Sequence, residues 1–354
     1  MTQRRETRRI NLALQGGGAH GAFTWGVLER LLDEDWLEID AISGTSAGAL
    51  NGAALKAGLS RGGGAPGRRA ARENLEWLWT RIGEVPSLRN DQWAETVLPW
   101  LPPPARRWAE VASPFGWLGM MMRMVSPYDF GPLWQNPLRT VVEGLPFADI
   151  CRDCAPRFFV SATNVRTGKI RVFSGAEIGA DAILASACLP TVFQAVEIDD
   201  PATGRREAYW DGGYSGNPAL FPLFAADLPR DIVVVGINPL LREAVPRTPG
   251  EIEDRINEIS FNASLLREMR AIHFVKRLIA GGQVAEGAMK DVLMHMIADD
   301  GLMVSLGVET KLLPDRHLLA RLRSAGQAAA DDWLEAHADS IGNAPSIDLM
   351  AMFG

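Results

Sequence analysis

The sequence predicts an α/β fold, and three observations carry the prediction. Twice between residues 10 and 58 an apolar strand-like run feeds a tight glycine turn and then helix-forming sequence: Ile10 to Gln15 into Gly16-Gly17-Gly18-Ala19-His20-Gly21, and Ile39 to Ser43 into Gly44-Thr45-Ser46-Ala47-Gly48. The run Asp231-Ile232-Val233-Val234-Val235-Gly236-Ile237 is continuous and β-branched, as in a strand buried on both faces of a sheet. Long helical patterns follow at Pro249 to Gly281 and Pro314 to His337. With 354 residues, 47% of them hydrophobic, the chain can bury a full core as one large domain or two smaller ones.

Taken in order, helices are expected from Ala22 to Asp33 and from Ala47 to Ala57, and Ser60 to Arg69 reads as a Gly/Arg surface loop. Residues 73–135 differ in composition. They hold Trp77, Trp79, Trp93, Trp100, Trp108, Trp117 and Trp134, seven of the 11 tryptophans, and the apolar stretch 115–125 with its methionines. Such residues suit either a helical subdomain with its own small core or a lid meeting acyl chains or a membrane surface. The α/β pattern then resumes. Arg157 to Thr163 and Lys169 to Phe173 predict a strand pair around Thr167-Gly168, and Val192 to Ile198 with Glu207 to Trp210 a second pair around Asp199-Asp200-Pro201.

The net charge of −7 argues against nucleic acid as a partner, because phosphate binding wants a basic field. Arg4, Arg5, Arg8 and Arg9 open the chain, but no apolar stretch of signal-peptide or membrane-spanning length follows, so a cytoplasmic protein, at most peripheral at a membrane, is expected. The three cysteines Cys151, Cys154 and Cys188 fit a reducing compartment. Cys151 and Cys154 have no second pair to close a zinc site, and no metal or cofactor is expected.

Chemistry concentrates in the two turns. Ser46 is central in a G-x-S-x-G turn whose small flanking residues, Gly44 and Gly48, permit a strained strand-to-helix corner that exposes the hydroxyl. Capping of an ordinary helix is the plain alternative. The glycine run supplies N–H groups that can converge on a tetrahedral oxyanion. It also matches G-x-G-x-x-G, with Asp40 near the spacing of a ribose-binding acid. That acid stands at the front of its strand, where a ribose would not be met, and a dinucleotide site leaves the serine turn unexplained. Asp211-Gly212-Gly213 closes a strand and opens a turn-rich loop, though by itself it is merely a good turn.

Together, Gly16 to Gly21, Gly44 to Gly48, Ala185-Ser186-Ala187-Cys188-Leu189-Pro190 with Phe193, and Asp211-Gly212-Gly213 resemble, in that order, the motifs of the patatin-like phospholipase family. The resemblance covers roughly residues 8–240. It implies a three-layer α/β/α fold with a mostly parallel central sheet, a helical Trp/Met-rich insert, and lipid acyl-ester hydrolysis by a Ser-Asp dyad without histidine. Carried over, Ser46 is the nucleophile and Asp211 the general base. Gly16, Gly17, Gly18 and Ala19, chiefly Gly17 and Gly18, form the oxyanion hole, supported by His20, Gly21, Gly44, Gly48, Gly212 and Gly213. Family members often carry Arg or Lys where this chain has His20, which is either a titrating charge near the oxyanion or a packing residue.

Two competitors remain at this stage. A Ser…Asp…His triad would draw on His273, His295, His317 or His337, of which His317 at a helix start is the best placed. A catalytically quiet lipid-binding or regulatory module on the same fold is the other. Residues 241–354 read as a mainly helical extension packed on the same domain. Acyl length, head group and oligomeric state are not encoded legibly.

Overall fold

The computed structural model describes residues 6–85, 126–129, 136–285, 287–311 and 314–354. Its strands are β1 (Arg8–Leu14), β2 (Leu37–Gly44), β3 (Arg157–Asn164), β4 (Ile170–Ser174), β5 (Val196–Asp200), β6 (Arg205–Asp211), β7 (Asp231–Gly236) and β8 (Leu293–Ala298). They make one sheet in the order β5-β6-β3-β2-β1-β7-β8, with β4 pairing β3 off that path. The five strands from β3 to β8 in that order run parallel, whereas β4 and β6 are antiparallel to β3, and β5 to β6. This is the mostly parallel sheet expected, with an antiparallel margin. The second predicted strand pair is found, but its first strand starts at Val196, because Val192 and Phe193 turn back onto the Leu189 carbonyl.

The helices are α1 (Gly21–Leu31), α2 (Ala47–Leu59), α3 (Ala65–Glu84), α4 (Leu138–Glu143), α5 (Phe147–Ile150), α6 (Ala180–Ser186), α7 (Pro249–Ala280), α8 (Asp300–Ser305), α9 (Arg316–His337) and α10 (Leu349–Phe353). Side chains alternate along the strands between two cores. Ile10, Leu12 and Leu14 of β1, with Val233 and Val235 of β7, join α1, α2, α3 and α9 on one face. Ala13, Ile232 and Val234 join Leu265, Met269 and Ile272 of α7 on the other. Helices thus cover both faces, giving the α/β/α layers, and explain why β7 reads as an unbroken apolar run.

The expected Gly/Arg loop is shorter than its composition suggests. Gly64, at φ 66°, turns the chain, Pro66 occupies the first helical turn, and α3 begins at Ala65. Residues 73–84, counted above with the tryptophan-rich insert, are therefore the second half of α3. Leu75, Leu78 and Trp79 pack into the main core. The rest of that insert, including the stretch 115–125 read as a membrane contact, lies mainly outside the described residues.

β8 was not evident from sequence, because an apolar run with one histidine fits a buried helix turn equally well. It extends the parallel sheet beyond β7 and buries His295 against Asp231 at 3.0 Å. The C-terminal part is integral to the first layer. α9 crosses α1 where Gly26 and Gly326 face each other's backbones: a Cβ on Gly26 would lie 1.9 Å from the Arg323 carbonyl oxygen, and one on Gly326 2.0 Å from that of Phe23. Arg323 also donates to the buried Glu29 carboxylate at 2.6 and 2.7 Å. Gly326→Ala should therefore force the helices apart and cost about 1–3 kcal/mol, read as a lower urea midpoint. An unchanged midpoint would mean that the crossing is not tight.

Candidate active site

Strand register brings the predicted residues together. Leu14 of β1 pairs Gly44 of β2, so the glycine run and the serine turn leave neighbouring parallel strands at one level. Gly44 in turn pairs Val160 of β3. β3 continues two residues to Ala162, whose partner on β6 is Asp211. Asp211 and Ser46 thus stand at the same height above the sheet, at the carboxyl ends of its parallel strands, where open α/β sheets hold their ligands.

The two turns interlock. A Cβ on Gly16 would lie 2.6 Å from the Ser46 Cβ, and one on Gly48 2.1 Å from the Leu14 carbonyl oxygen. Gly21 meets the Ala47 Cβ at 2.6 Å, and Gly44 the Gly48 carbonyl oxygen at the same distance. Ser46 has φ 54° and ψ −122°, and it alone among the described non-glycine residues has a positive φ. Backbone strain of this kind costs about 1–3 kcal/mol and persists only where the surroundings enforce it. Here the Ser46 N–H donates to Ser186 Oγ at 2.9 Å, and Thr45 Oγ1 donates to the Gly216 carbonyl at 2.7 Å. Ser46 Oγ is not engaged as a helix cap, which removes the plain capping alternative.

The glycine run divides in two. Gly16 donates its N–H to Asn217 Oδ1 at 2.6 Å, so that amide, expected in the oxyanion hole, is occupied. Gly17 and Gly18 donate to no side chain among the described residues. Gly18 adopts φ 58° and opens the 3-10 turn Gly18–His20, which contains Ala19. The Gly16 carbonyl accepts from Asn238 Nδ2 at 2.8 Å, and Gln15 Oε1 accepts from the N–H groups of Ile237 and Asn238. Asn51 donates to the Gly21 and Ala47 carbonyls and accepts from Trp79 Nε1, tying α1, α2 and α3 together.

His20 is a packing residue. Thr310 Oγ1 donates to the Gly307 carbonyl at 2.6 Å, so it accepts at 2.7 Å from His20 Nε2, which must carry the proton. Burial, reinforced by the nearby Lys311 charge, pushes the imidazole down to about 3, so it is neutral at physiological pH and adds no charge to the glycine run.

Asp211 is fully buried. Its Oδ1 accepts the Gly213 N–H at 2.7 Å, while Oδ2 is buried with no hydrogen-bond partner among the described residues. Burial pushes the carboxyl from 3.8 up to about 7, against the opposing pull of the Gly213 amide and the Ser46 hydroxyl. Ser46 and Asp211 are near enough for that influence without closing a hydrogen bond, which is common before substrate arrives. Gly212 and Gly213 admit close neighbours: a Cβ on Gly212 would lie 2.1 Å from the Ser161 carbonyl oxygen, and one on Gly213 2.3 Å from the Phe261 ring. The Ala185–Pro190 segment runs beneath both groups, with Ser186 holding the Ser46 amide and the Cys188 carbonyl accepting the Asp211 N–H at 2.8 Å. Sequence reading singled out this block without assigning Ser186 a contact. Asn238, Thr310 and Lys311 it missed altogether, having no motif to mark them.

No histidine bonds Ser46 or Asp211 among the described residues. His295 pairs Asp231 in β8, His273 and His337 lie against Phe353 and Trp333, and His317 is exposed at the start of α9. Asp40, the acid of the dinucleotide alternative, is ion-paired to Arg9 near the opposite end of β1 and β2.

A layered α/β domain with a serine on a strained strand-to-helix corner and a buried carboxylate at its level defines a hydrolase-like architecture. The patatin-like phospholipase profile matches residues 12–226, and the chain belongs to that family, whose members hydrolyse lipid acyl esters. No curated protein matches. Among solved structures the chain is similar to VipD from Legionella pneumophila, at 14% identity and a TM-score of 0.41, over 94% of this chain and 67% of that one. No described helix is long and apolar enough to cross a membrane.

A carboxyl whose pKa is raised on folding holds its proton more tightly in the folded state. Its stabilising contribution is complete below the unfolded value and is lost as pH rises through about 7. Asp211→Asn removes that loss. Urea midpoints should show the variant gaining on the wild type between about pH 5 and about pH 8, and parallel pH dependences would contradict the buried-carboxyl assignment.

Proposed function

We propose that the chain is a serine acyl hydrolase that cleaves fatty-acyl esters with a Ser46–Asp211 dyad. The observation that carries this is the buried Asp211 Oδ2, which has no hydrogen-bond partner among the described residues, at the level of a strained Ser46.

In the proposed cycle Ser46 Oγ attacks the ester carbonyl carbon while its proton passes to Asp211. The carbonyl oxygen becomes an oxyanion facing the Gly17 and Gly18 amides, donors of a kind whose individual loss typically costs about 3 kcal/mol in activation energy. Collapse expels the alcohol, which takes the proton back from Asp211 and leaves the acyl group on Ser46. Water then attacks the acyl-enzyme with Asp211 as base, releasing the fatty acid and regenerating the serine. A carboxylate raised toward 7 suits this work better than an ordinary one, because it is still ionised near neutrality yet basic enough to accept a proton. Only the ionised form accepts one, so kcat/KM should climb as pH rises through about 7.

The substrate is a lipid or other acyl ester, and no metal or cofactor enters the cycle. A peripheral membrane contact through 115–125 and a cytoplasmic location belong to the same proposal. A fluorophosphonate probe tests it: the wild type should label, Ser46→Ala should not, and His317→Ala should keep both labelling and turnover within about twofold. Loss in His317→Ala equal to that in Ser46→Ala would restore a histidine triad. No labelling of the wild type would favour a catalytically quiet lipid-binding module.

A further inference from the structure

The family profile ends at residue 226, yet the glycine run is held from beyond it. The short 3-10 turn Val308–Lys311 lies directly against it. Thr310 accepts the His20 Nε2 proton at 2.7 Å, and the Lys311 carbonyl oxygen would lie 2.1 Å from a Cβ on Gly18. The Lys311 ammonium donates to Asn238 Oδ1 at 2.8 Å, and the same Asn238 donates through Nδ2 to the Gly16 carbonyl at 2.8 Å. That Oδ1 lies 3.7 Å from the place a Gly17 Cβ would take. One amide therefore links a lysine to the Gly16 carbonyl, with its orientation fixed by both ends.

We infer that Lys311 is a positioning residue for the oxyanion loop, anchoring Asn238 and through it Gly16 while setting a partly buried positive charge behind the Gly17 and Gly18 amides. The inference rests on the hydrolase function proposed above. Neutral His20 contributes no charge to this loop, so the cation comes from a sequence-distant segment. Lys311 is held by neutral oxygens, Asn238 and, at 3.5 Å, Asn257, and it lies 6.0 Å from the Phe261 ring that packs on Gly213 beside Asp211. A positive charge held in place by these partners favours negative charge developing on the substrate oxygen without any reorganisation.

The groups facing Lys311 set when that charge is present. Burial pulls its pKa down from 10.5 to about 8, helped by Arg242 and opposed by Glu258 and Asp254 of α7, while His20 across the turn is neutral. Glu258 is itself held by Arg242 and Arg255. The charge is complete below about 8 and is lost as pH rises through that value.

The test is kcat and KM of the full chain on p-nitrophenyl butyrate from about pH 6 to about pH 10, for the wild type, Lys311→Gln and Lys311→Arg, with thermal melts for each. Gln keeps a donor for Asn238 without the charge, and Arg keeps the charge throughout. Expected is a fall of about tenfold or more in kcat for Lys311→Gln with KM within about twofold. The wild type should lose kcat above about 8, Lys311→Gln should lack that alkaline fall, and Lys311→Arg should retain kcat with the fall displaced beyond the range. A folded Lys311→Gln with wild-type kcat and the same alkaline fall overturns the assignment while leaving the hydrolase function intact. If Lys311→Gln does not fold, the wild-type profile decides, and kcat unchanged up to about pH 9.5 overturns it. A wild type that neither turns over ester nor reacts with fluorophosphonate overturns both proposals.

Discussion

The parallel pairing of β1 with β2 is the constraint on which the rest of the site depends. Because Leu14 and Gly44 are register partners, two turns of different chemistry leave the sheet at one height and must share a space that side chains would fill. The contacts between Gly16 and Ser46, and between Gly48 and Leu14, are consequences of that crowding. The same closeness locks Ser46 in a backbone conformation that an ordinary loop would relax.

Stability is given up at the same place. A strained serine stands at the level of a buried carboxylate oxygen that has no hydrogen-bond partner among the described residues. Elsewhere the protein is conservatively built, with alternating strand faces, two apolar cores and helices joined by backbone-level glycine contacts. That distribution is the usual sign of a functional site, where local rules are broken and the surrounding fold compensates. The C-terminal third belongs to that compensation, since α9 clamps α1 and the turn before it braces the glycine run.

Much of this was legible in the residues themselves. β1, β2, β3 and β7 announce their strands by apolar pattern, and the glycine and serine turns announce theirs by composition. Nothing local to the glycine run reveals that Asn217, some two hundred residues on, takes the Gly16 N–H. The start of α3 was read as surface loop, since Gly62 to Gly64 mask a helix start that Pro66 makes sharp. β8, Asn238 and Lys311 carry no motif: their roles exist only after the sheet has assembled. Long-range hydrogen bonds to single side chains leave no periodic trace for a sequence to show.

The family match accounts for the frame and the reaction class, whereas the proposed chemistry rests on the meeting of Ser46, Asp211 and the glycine amides. The most direct measurement is a crystal structure of the protein after reaction with a fluorophosphonate. Expected is phosphorus bonded to Ser46 Oγ, its oxygen within hydrogen-bond reach of the Gly17 and Gly18 amides, and Asp211 Oδ2 beside the serine oxygen. Phosphorus on another residue, or an adduct oxygen turned away from those amides, would contradict the account.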